Sequence, residues 1–534
     1  MSTRQKIPSR LEFIKIYCYP HAKSDRPEPY VEYLAFVPLK AKKTARNPPA
    51  ESVNVAILGI DAVSRMNLIR TMPKTYEYIN KDLQGHGLFG FNKVGDNTFA
   101  NIIPLLTGMS ADQISATPRT GCPIWMGPYD KCPFLWKTFA DQGYRTIYAE
   151  DWTHLTMFNY MKRGFATAPT TYYLRPMISH SDFHFNRNHD ENCFAGPKLH
   201  FQYLLDYMKA VAVRMGSENR YFSFMWENSL THHKVALAKE GDEPLFQTLK
   251  WFKQSGYLNN TVLIIMSDHG MRYLGFRDTL QGRFEDRMPF LFFVFPAWFS
   301  AKYPKAMENL RRNKHKLTTV YDVHQTLKDL LRLANIKDDR ILRRTKGVDK
   351  LDVHNAHLRW FLRRYGHSLF LPLPKTRLCP EAGVPPLYCI CHQFEAKSTK
   401  DFFVRRAARF IIQEINQRIK NYTDCAHLAL GRVLSAHNVI IPSRQLKFDK
   451  DVAPPKHLKG QSARQYIQQL ILGSSVTTLV ITASPGDATY EGAVSRMDDG
   501  KLSLWGGVSR INMYGNRSNC VARYEIKPFC FCRD

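Results

Sequence analysis

The chain has 534 residues, of which 44% are hydrophobic and 13% aromatic, and this excludes a disordered or fibrous protein. At about 150 residues per domain, several domains or one large α/β domain with insertions are expected. The formal net charge of +28 favours an acidic partner, such as nucleic acid, an anionic lipid or glycan, or a phosphorylated small molecule.

The N-terminal segment, residues 1–50, is predicted to be extended, with two strands and a basic linker that contains prolines. Its first 24 residues lack the apolar stretch and cleavage site of a signal peptide. Two explanations stay open: either the natural start lies upstream of Met1, or the protein is cytosolic. The longest apolar run, near Met288–Phe299, contains two prolines and is too short to span a bilayer.

Residues 51–395 are predicted to form one α/β domain. Apolar strands alternate with helical stretches such as His200–Met215 and Leu317–Leu331. The strands are predicted at Val53–Ile60, Arg145–Ala149, Tyr221–Trp226, Val262–Ser267 and Phe290–Phe295. This alternation indicates a mostly parallel sheet sandwiched by helices.

Basic residues are concentrated in one part of this domain. Residues 301–350 contain fourteen Lys and Arg against six Asp and Glu, a local excess of eight. The chain has no zinc-finger spacing and no basic motif interleaved with aromatic residues, so we do not expect specific nucleic-acid binding. We interpret the charge as a dispersed basic surface, compatible with a phosphorylated or other anionic substrate.

Residues 396–534 are predicted to form a smaller α+β or antiparallel domain that ends in a cysteine cluster. Thiolate zinc sites more often use a two-residue spacer than the Cys-x-Cys pairs found here, so disulfides in a secreted protein explain the pattern better. The odd total of eleven cysteines leaves at least one outside intramolecular pairs. Three N-glycosylation sequons, which also favour the secretory pathway or extracellular space, begin at Asn259, Asn421 and Asn516.

Three segments carry residues that can perform chemistry. Asp61 ends one buried strand, Asp268–His269 follows another, and Thr98 lies near the start of the segment Asp96–Gly108. Because ligands bind at the carboxyl ends of parallel strands, we expect these residues to lie close together. Asp and His bind zinc, manganese or similar ions, and a Thr hydroxyl becomes a nucleophile when a base or metal activates it.

Each segment alone also fits a simpler role. Asp-His-Gly is often a strand-end turn with a hydrogen-bonded His, and a Thr at a helix start is most often an N-cap. The order of the segments, each at the end of an element, favours a shared site over three separate accidents.

The three segments resemble those of the alkaline-phosphatase superfamily, whose members share a first-strand Asp, a nucleophile at a helix N-terminus and a late Asp-His pair. In sulfatases the nucleophile lies ten residues before a Gly, as Thr98 does before Gly108. Nucleotide pyrophosphatase/phosphodiesterases read Thr-Phe-Pro-Asn where this chain reads Thr98-Phe-Ala-Asn101. The resemblance implies that Asn101 holds a phosphoryl oxygen. It implies a metal ligand set of Asp61, Thr98, Asp268 and His269.

A closer resemblance is to an animal family within this superfamily that is described as a domain of unknown function. The shared wording covers nearly the whole chain and includes Gly59–Arg65, Val94–Thr98, Ser267–Arg272, Gly282–Pro289 and the ending Ser509–Cys532. Since no activity is assigned to that family, the resemblance implies the fold and leaves the substrate open.

Two departures make a sulfatase the third and least favoured reading. Sulfatases need a Cys or Ser that becomes formylglycine, with an Arg four residues later, whereas this chain has Thr98 and Ile102. Where sulfatases carry Gly-Lys-Trp-His, this chain reads Glu150–Thr153, so that Asp151 replaces an anion-binding Lys.

A second metal site is incomplete in the sequence. Two-metal phosphodiesterases have an Asp and a His four residues apart, and the matching residues here are Asn228 and His232. No convincing third His follows Asp268–His269; that region holds Arg283 and Glu285, which either contact substrate or form a surface ion pair. We therefore expect one ion, as in phosphoglycerol and phosphoethanolamine transferases of the superfamily, with a second ion as the alternative.

Together these patterns predict a metal-dependent hydrolase or transferase that acts on a phosphoester through Thr98, with one zinc or manganese ion. The alternative is a secreted, disulfide-bonded binding or structural protein with a degenerate site. The incomplete second site favours that alternative, whereas the retention of Asp61, Thr98, Asp268 and His269 opposes it. The sequence leaves the substrate, the metal and the oligomeric state open.

Overall fold

A computed structural model describes residues 8–19, 30–41, 46–153, 155–185, 194–195, 198–273, 275–349, 365–375, 377–440, 476–496 and 500–533. The strands are β1 Phe13–Cys18, β2 Tyr30–Ala35, β3 Asn54–Ile60, β4 His86–Gly87, β5 Arg145–Glu150, β6 Tyr172–Tyr173, β7 Phe194–Ala195, β8 Lys198–Leu199, β9 Tyr221–Glu227, β10 Thr261–Met266, β11 Leu291–Val294, β12 Gln393–Ala396, β13 Ala429–Ile440, β14 Val476–Ser484, β15 Ala488–Arg496 and β16 Leu502–Arg510.

The α-helices follow the same chain order. They are α1 Arg65–Thr71, α2 Pro73–Lys81, α3 Thr98–Thr107, α4 Ala111–Ser115, α5 Leu135–Asp141, α6 Arg175–Phe185, α7 His200–Met215, α8 Asp242–Gln254, α9 Leu280–Arg287, α10 Phe299–Lys302, α11 Pro304–Arg312, α12 Val320–Leu331, α13 Asp338–Asp349 and α14 Phe402–Ile419.

The central sheet has the strand order β4-β11-β10-β3-β9-β5-β6. The four pairs from β10 to β6 are parallel, and β11 and β4 add an antiparallel edge. Strands β3, β9, β5 and β10 are buried along their whole length, which explains why β3 and β10 in particular are almost entirely apolar. The predicted α/β class with a mostly parallel sheet is confirmed.

Helices cover both faces of this sheet. On one face, Ile102 of α3 and Leu327 of α12 belong to a core cluster with Ile57 of β3. On the other face, Leu204 of α7 and Leu249 of α8 pack in a cluster with other residues of β3. The hairpin of β1 and β2 contributes to this second cluster, so the N-terminal strands extend the α/β domain.

One glycine sets the close approach of the two central strands. A Cβ atom at Gly59 of β3 would lie 1.9 Å from ring carbons of Trp226 on β9. Only Gly leaves room for this fully buried indole beside the strand that leads to Asp61.

The C-terminal region is a five-stranded antiparallel sheet, β12-β13-β14-β15-β16, covered by α14. Its first strand begins at Gln393, within the range that the sequence assigned to the α/β domain. The boundary at residue 396 stays a prediction.

Buried charges join the C-terminal sheet to the α/β domain. Glu491 of β15 is fully buried and forms ion pairs with Arg277 at 2.5 Å, Arg283 at 2.8 Å and Arg287 at 2.9 Å. Burial alone would raise the pKa of Glu491, but the three guanidinium groups hold it well below its usual range. The carboxylate therefore stays ionised down to strongly acidic pH, and its stabilising contribution is lost only there.

Four disulfides connect cysteines of the described residues: Cys122–Cys132, Cys379–Cys389, Cys425–Cys530 and Cys520–Cys532. In both Cys-x-Cys motifs the two cysteines do not pair with each other. Cys18 and Cys391 are outside disulfides, and Cys193 lies outside the described residues. Among the described helices, none combines the length and apolarity that crossing a membrane requires.

The disulfides predict that the unreduced protein resists alkylation at eight of its cysteines. The cysteines of the four pairs should stay unmodified by iodoacetamide in denaturant without reductant, and should react fully after reduction. Peptide mapping by mass spectrometry measures both states. Modification of Cys520, Cys530 and Cys532 without reductant would contradict the pairing and favour a reducing compartment.

The Glu491 cluster predicts a strong dependence of stability on one carboxylate. Glu491→Gln should lower the free energy of unfolding by about 3–5 kcal/mol, because it leaves three buried guanidinium groups without a counter-charge. The control is Glu77→Gln, which removes an exposed ion pair with Lys81 and should cost about 1 kcal/mol or less. Urea titration measures both. Equal effects of the two changes would show that the buried cluster does not join the domains.

Candidate active site

The sheet topology brings Asp61 and Asp268 together. Strands β3 and β10 are parallel neighbours, with Gly59 opposite Met266, so the residues that follow each strand meet at one edge. Asp61 and Asp268 are fully buried, and His269 is nearly so. The nearest ligand atoms of these three side chains all lie within 4.8 Å of one another.

Main-chain hydrogen bonds hold the Asp268–His269 pair in place. The Ala62 N–H donates to Asp268 Oδ1 at 3.3 Å. His269 Nδ1 lies 2.8 Å from the carbonyl oxygen of Gly270, which assigns its proton to that bond. The Nε2 lone pair of His269 therefore faces the carboxylates, at 3.2 Å from Asp268 Oδ2.

Thr98 is the first residue of α3, and the preceding residue caps the helix. The Asn97 side chain accepts a hydrogen bond from the Ala100 N–H, so Thr98 is not the N-cap. The Thr98 hydroxyl donates to Asp61 Oδ1 at 3.0 Å and lies 3.4 Å from His269 Nε2. The simpler interpretation of Thr98 as a helix cap is therefore wrong, because Asn97, one residue earlier, is the cap.

The chemistry of these atoms fits a cation. Oxygen and nitrogen acceptors of Asp61, Asp268, His269 and Thr98 converge, while the Thr98 hydroxyl supplies a single proton between them. Asp268 Oδ2 is buried and has no hydrogen-bond partner among the described residues. An unpaired buried carboxylate oxygen is costly unless a cation or proton compensates it.

The two carboxylates have opposite pKa shifts. Burial works to raise the pKa of Asp61, but the charge and hydrogen bond of His232 outweigh it and lower that pKa. Burial raises the pKa of Asp268, and the charge of Asp61 adds to this effect. A bound cation would favour the ionised form of both groups.

Asn101 is fully buried beneath the loop that leads to Thr98. Its Oδ1 accepts from the N–H groups of Val94 and Gly95 at 2.8 and 2.9 Å. Its Nδ2 donates to the carbonyl oxygens of Gly95 and Asn97 at 3.1 and 3.0 Å. The amide is thus engaged with backbone groups and shapes the loop before Thr98. The expected contact of Asn101 with a phosphoryl oxygen stays a prediction.

His232 and Asn228, the two candidate ligands of a second metal ion, contact different groups. His232 reaches the first site, where its Nδ1 lies 2.6 Å from Asp61 Oδ2. The Asn228 amide instead donates to Glu150 Oε1 at 3.3 Å. The structure thus places only His232 against the Asp61 centre.

Arg283 and Glu285 are both buried, and each binds a different set of protein groups. Arg283 belongs to the Glu491 cluster and also donates to Thr478. Glu285 accepts hydrogen bonds from Ser64 at 2.8 Å and from Arg70, which joins α1 to α9. These partners account for the charges without a substrate.

Further carboxylates lie behind the site, at the ends of β5 and β9. Burial raises the pKa of Glu150 to about 7 and that of Asp151 as well. Burial and the charge of Asp151 also raise the pKa of Glu227. Asp151 stands where sulfatases carry an anion-binding Lys. The excess of acidic groups around it disfavours the binding of an anion at that position.

A cavity of about 470 Å³ opens beside Thr98, between the α/β domain and the C-terminal sheet. This volume is within the range of small-molecule sites. Sequence patterns did not single out most of its lining, since the residues come from distant segments that only the domain contact brings together. They include His232, Lys162, Arg272, Arg510, Tyr514 and Tyr524.

Three solved structures share some of this architecture at low similarity. The lipoteichoic acid synthase LtaP from Listeria monocytogenes has a TM-score of 0.36 and 11% identity, over 52% of this chain and 72% of that chain. The C-terminal periplasmic domain of EcEptC from Escherichia coli, in complex with Zn, has a TM-score of 0.36 and 11% identity, over 54% and 86%. A protein in the alkaline phosphatase superfamily from Vibrio parahaemolyticus has a TM-score of 0.38 and 11% identity, over 90% and 87%.

Sequence comparison is more specific. No curated protein matches the chain. The model of one family, described as a protein of unknown function (DUF229), matches residues 1–434, which is most of the chain and includes Asp61, Thr98 and Asp268–His269. The protein therefore belongs to the DUF229 family.

Proposed function

We propose that this protein is a metal-dependent hydrolase or transferase that acts on a phosphoester, with Thr98 as nucleophile. One observation carries the proposal: the Thr98 hydroxyl lies at a helix N-terminus, 3.0 Å from Asp61 Oδ1 and 3.4 Å from His269 Nε2. A hydroxyl nucleophile needs such neighbours, because its pKa is otherwise too high for attack at neutral pH.

Asp61, Asp268 and His269, together with the Thr98 hydroxyl, are the residues that would hold the ion. Carboxylate and imidazole donors in this set suit zinc or manganese. When bound, the ion supplies Lewis-acid chemistry, which lowers the pKa of the Thr98 hydroxyl and offsets charge on a phosphoryl oxygen. Asn228 is engaged with Glu150, and this supports one ion over two.

The chain's own residues then perform the transfer. Thr98 Oγ attacks phosphorus, an O–P bond forms, and the ester bond to the leaving alcohol breaks, which gives a phosphothreonine. Water or an acceptor alcohol next attacks phosphorus and releases Thr98. The Thr98 hydroxyl donates to Asp61 Oδ1, so Asp61 is the base that takes the Thr98 proton, and the leaving alcohol takes up a proton from solvent. His232, whose partly exposed imidazole lies at the cavity, donates from Nδ1 to Asp61 Oδ2 and holds this carboxylate in place.

The start of α3 is arranged to receive phosphoryl oxygens. The amides of Thr98 and Phe99 stand in the first turn, where no intrahelical acceptor exists, and the helix dipole favours negative charge there. Asn101 acts as a positioning residue, since it fixes the backbone of the preceding loop. Amides aimed in advance at developing charge need no reorganisation during the reaction.

We also propose that the protein works in the secretory pathway or outside the cell. The four disulfides support an oxidising compartment. The three sequon asparagines, Asn259, Asn421 and Asn516, are all exposed and thus accessible to glycosylation.

The first prediction of this mechanism concerns the metal. The purified protein should hold about one zinc or manganese ion, and added metal should raise its melting temperature, because a ligand that binds only the folded state stabilises that state. Asp268→Asn should lose both the ion and the temperature shift. Elemental analysis and thermal unfolding measure these effects.

The exposed residue Asp112 provides the control for that change. Asp112→Asn keeps the same chemistry of substitution away from the site, and should retain metal and thermal shift. If Asp268→Asn binds as much metal as the wild type and shows the same shift, the proposed ligand set is wrong.

The second prediction concerns the nucleophile. Thr98→Ala should fold and keep its metal, since Asn97 supplies the helix cap and the change removes one hydrogen bond to Asp61, at a cost of about 1–3 kcal/mol. Its turnover of phosphodiesters should fall by several orders of magnitude, while Thr98→Ser should keep part of the activity. A panel of p-nitrophenyl phosphodiesters and phosphomonoesters measures the rates.

Two results would contradict the proposed enzymatic activity or the role of Thr98 in it. Hydrolysis that persists unchanged in Thr98→Ala would exclude Thr98 as the nucleophile. Metal-loaded wild-type protein without turnover on any phosphoester would favour the alternative, a secreted binding or structural protein that kept the fold.

A further inference from the structure

The cavity beside Thr98 contains a lysine, Lys162, that forms no ion pair among the described residues and contacts mainly aromatic rings. Lys162 Nζ lies 3.6 Å from the ring centroid of Tyr524 and 4.5 Å from that of Phe99. It also donates a hydrogen bond to the Tyr160 carbonyl oxygen at 3.3 Å. Burial lowers the pKa of Lys162 to about 7, although the Glu525 carboxylate at the cavity edge opposes this shift. An ammonium group held in this way has hydrogen-bond capacity left over for a ligand.

Arg510, at the end of β16, is the second such cation. Its side chain is almost fully buried, at 2% exposure. Nε donates to Asn512 Oδ1 and Nη1 to the Pro528 carbonyl oxygen, each at 3.2 Å. Nη2 is buried and has no hydrogen-bond partner among the described residues. The guanidinium group, which lines the cavity, therefore has neutral hydrogen-bond partners and an unpaired Nη2 with two N–H donors.

Arg272, the third cation of the cavity, differs from the other two because a carboxylate compensates its charge. It forms an ion pair with Asp96, whose other carboxylate oxygen accepts a hydrogen bond from Ser509 on β16. A buried cation without such a carboxylate costs free energy, and an anion that enters the cavity would compensate that cost. Among the described residues, Lys162 and Arg510 differ from Arg272 in that neither forms an ion pair, and only Glu525 at the cavity edge acts on the charge of Lys162.

We propose that this cavity selects substrates that carry a second anionic group, which binds Lys162 and Arg510 while the reacting phosphoester lies at Thr98. The proposal rests on the function proposed above and adds the substrate class to it. The α/β domain supplies the reacting groups and Lys162, and the C-terminal sheet supplies Arg510. The tyrosine rings of the cavity, Tyr514 and Tyr524 among them, would contact the part of the substrate between the two anionic groups.

Binding of matched phosphonates to the metal-loaded protein tests this selection without any turnover. The probes are an alkylphosphonate, an ω-carboxyalkylphosphonate and an alkane-1,ω-bisphosphonate, each with spacers of two to eight carbons, titrated by calorimetry. At one spacer length the probes with two anionic groups should bind about tenfold tighter than the alkylphosphonate, the usual gain of one charge-assisted hydrogen bond. That gain should disappear in Lys162→Gln, while affinity for the alkylphosphonate stays unchanged.

Two further variants keep the outcome clear. Arg510→Gln should reduce the same gain, provided that its thermal unfolding is cooperative, and Lys81→Gln, at an exposed position in α2, should leave it intact. The proposal fails if the second anionic group adds no affinity at any spacer length, or if the gain survives in Lys162→Gln. If such a failure accompanies Thr98-dependent turnover of simple phosphodiesters, only the selection is wrong. If the gain depends on Lys162 but no phosphoester is turned over, the cavity binds anions and the proposed chemistry is wrong.

Discussion

The constraint that organises this molecule is the burial of two carboxylates, Asp61 and Asp268, at the ends of neighbouring parallel strands. Two negative charges in a low-dielectric interior repel each other and lose their hydration, so such a pair is stable only when protons, hydrogen bonds or a cation compensate it. The protein provides part of this compensation through His232 on Asp61 and the Ala62 amide on Asp268. What remains unbalanced, the free Asp268 oxygen and the His269 lone pair, points to a cation.

The surrounding structure holds Thr98, the proposed nucleophile, against this centre. Asn101 ties together the loop before α3, and a Cβ at Gly95 in that loop would lie 2.3 Å from the Cβ of Ala100, so only Gly permits the close turn. Asn97 then caps the helix and leaves the Thr98 hydroxyl free to approach Asp61. The Thr98 hydroxyl is therefore fixed by backbone contacts that tolerate few substitutions, as the proposed attack in one geometry requires.

Local patterns predicted the α/β sheet because strands that are buried on both faces have mainly apolar sequences. They also predicted the residues at the strand ends, because ligands of such sheets bind at the carboxyl ends of the strands. Patterns of this kind describe one segment at a time. They could not show that the Asn101 amide is used by its own loop, that Asn97 takes the capping role, or that Arg283 faces Glu491 of a distant strand. Each of those facts depends on which segments meet in three dimensions.

The contact between the two domains connects the fold to the cavity beside Thr98. Glu491 gathers three guanidinium groups of the α/β domain, and this fixes β15 against Arg277 and α9. Asp96, two residues before Thr98, accepts a hydrogen bond from Ser509 and pairs with Arg272, so the loop before Thr98 is itself part of the domain contact. Because Arg510 directly follows Ser509, any shift of the C-terminal sheet would move a cavity cation and the loop before Thr98 together. The substrate recognition and the alignment of Thr98 that we propose therefore depend on the same interface.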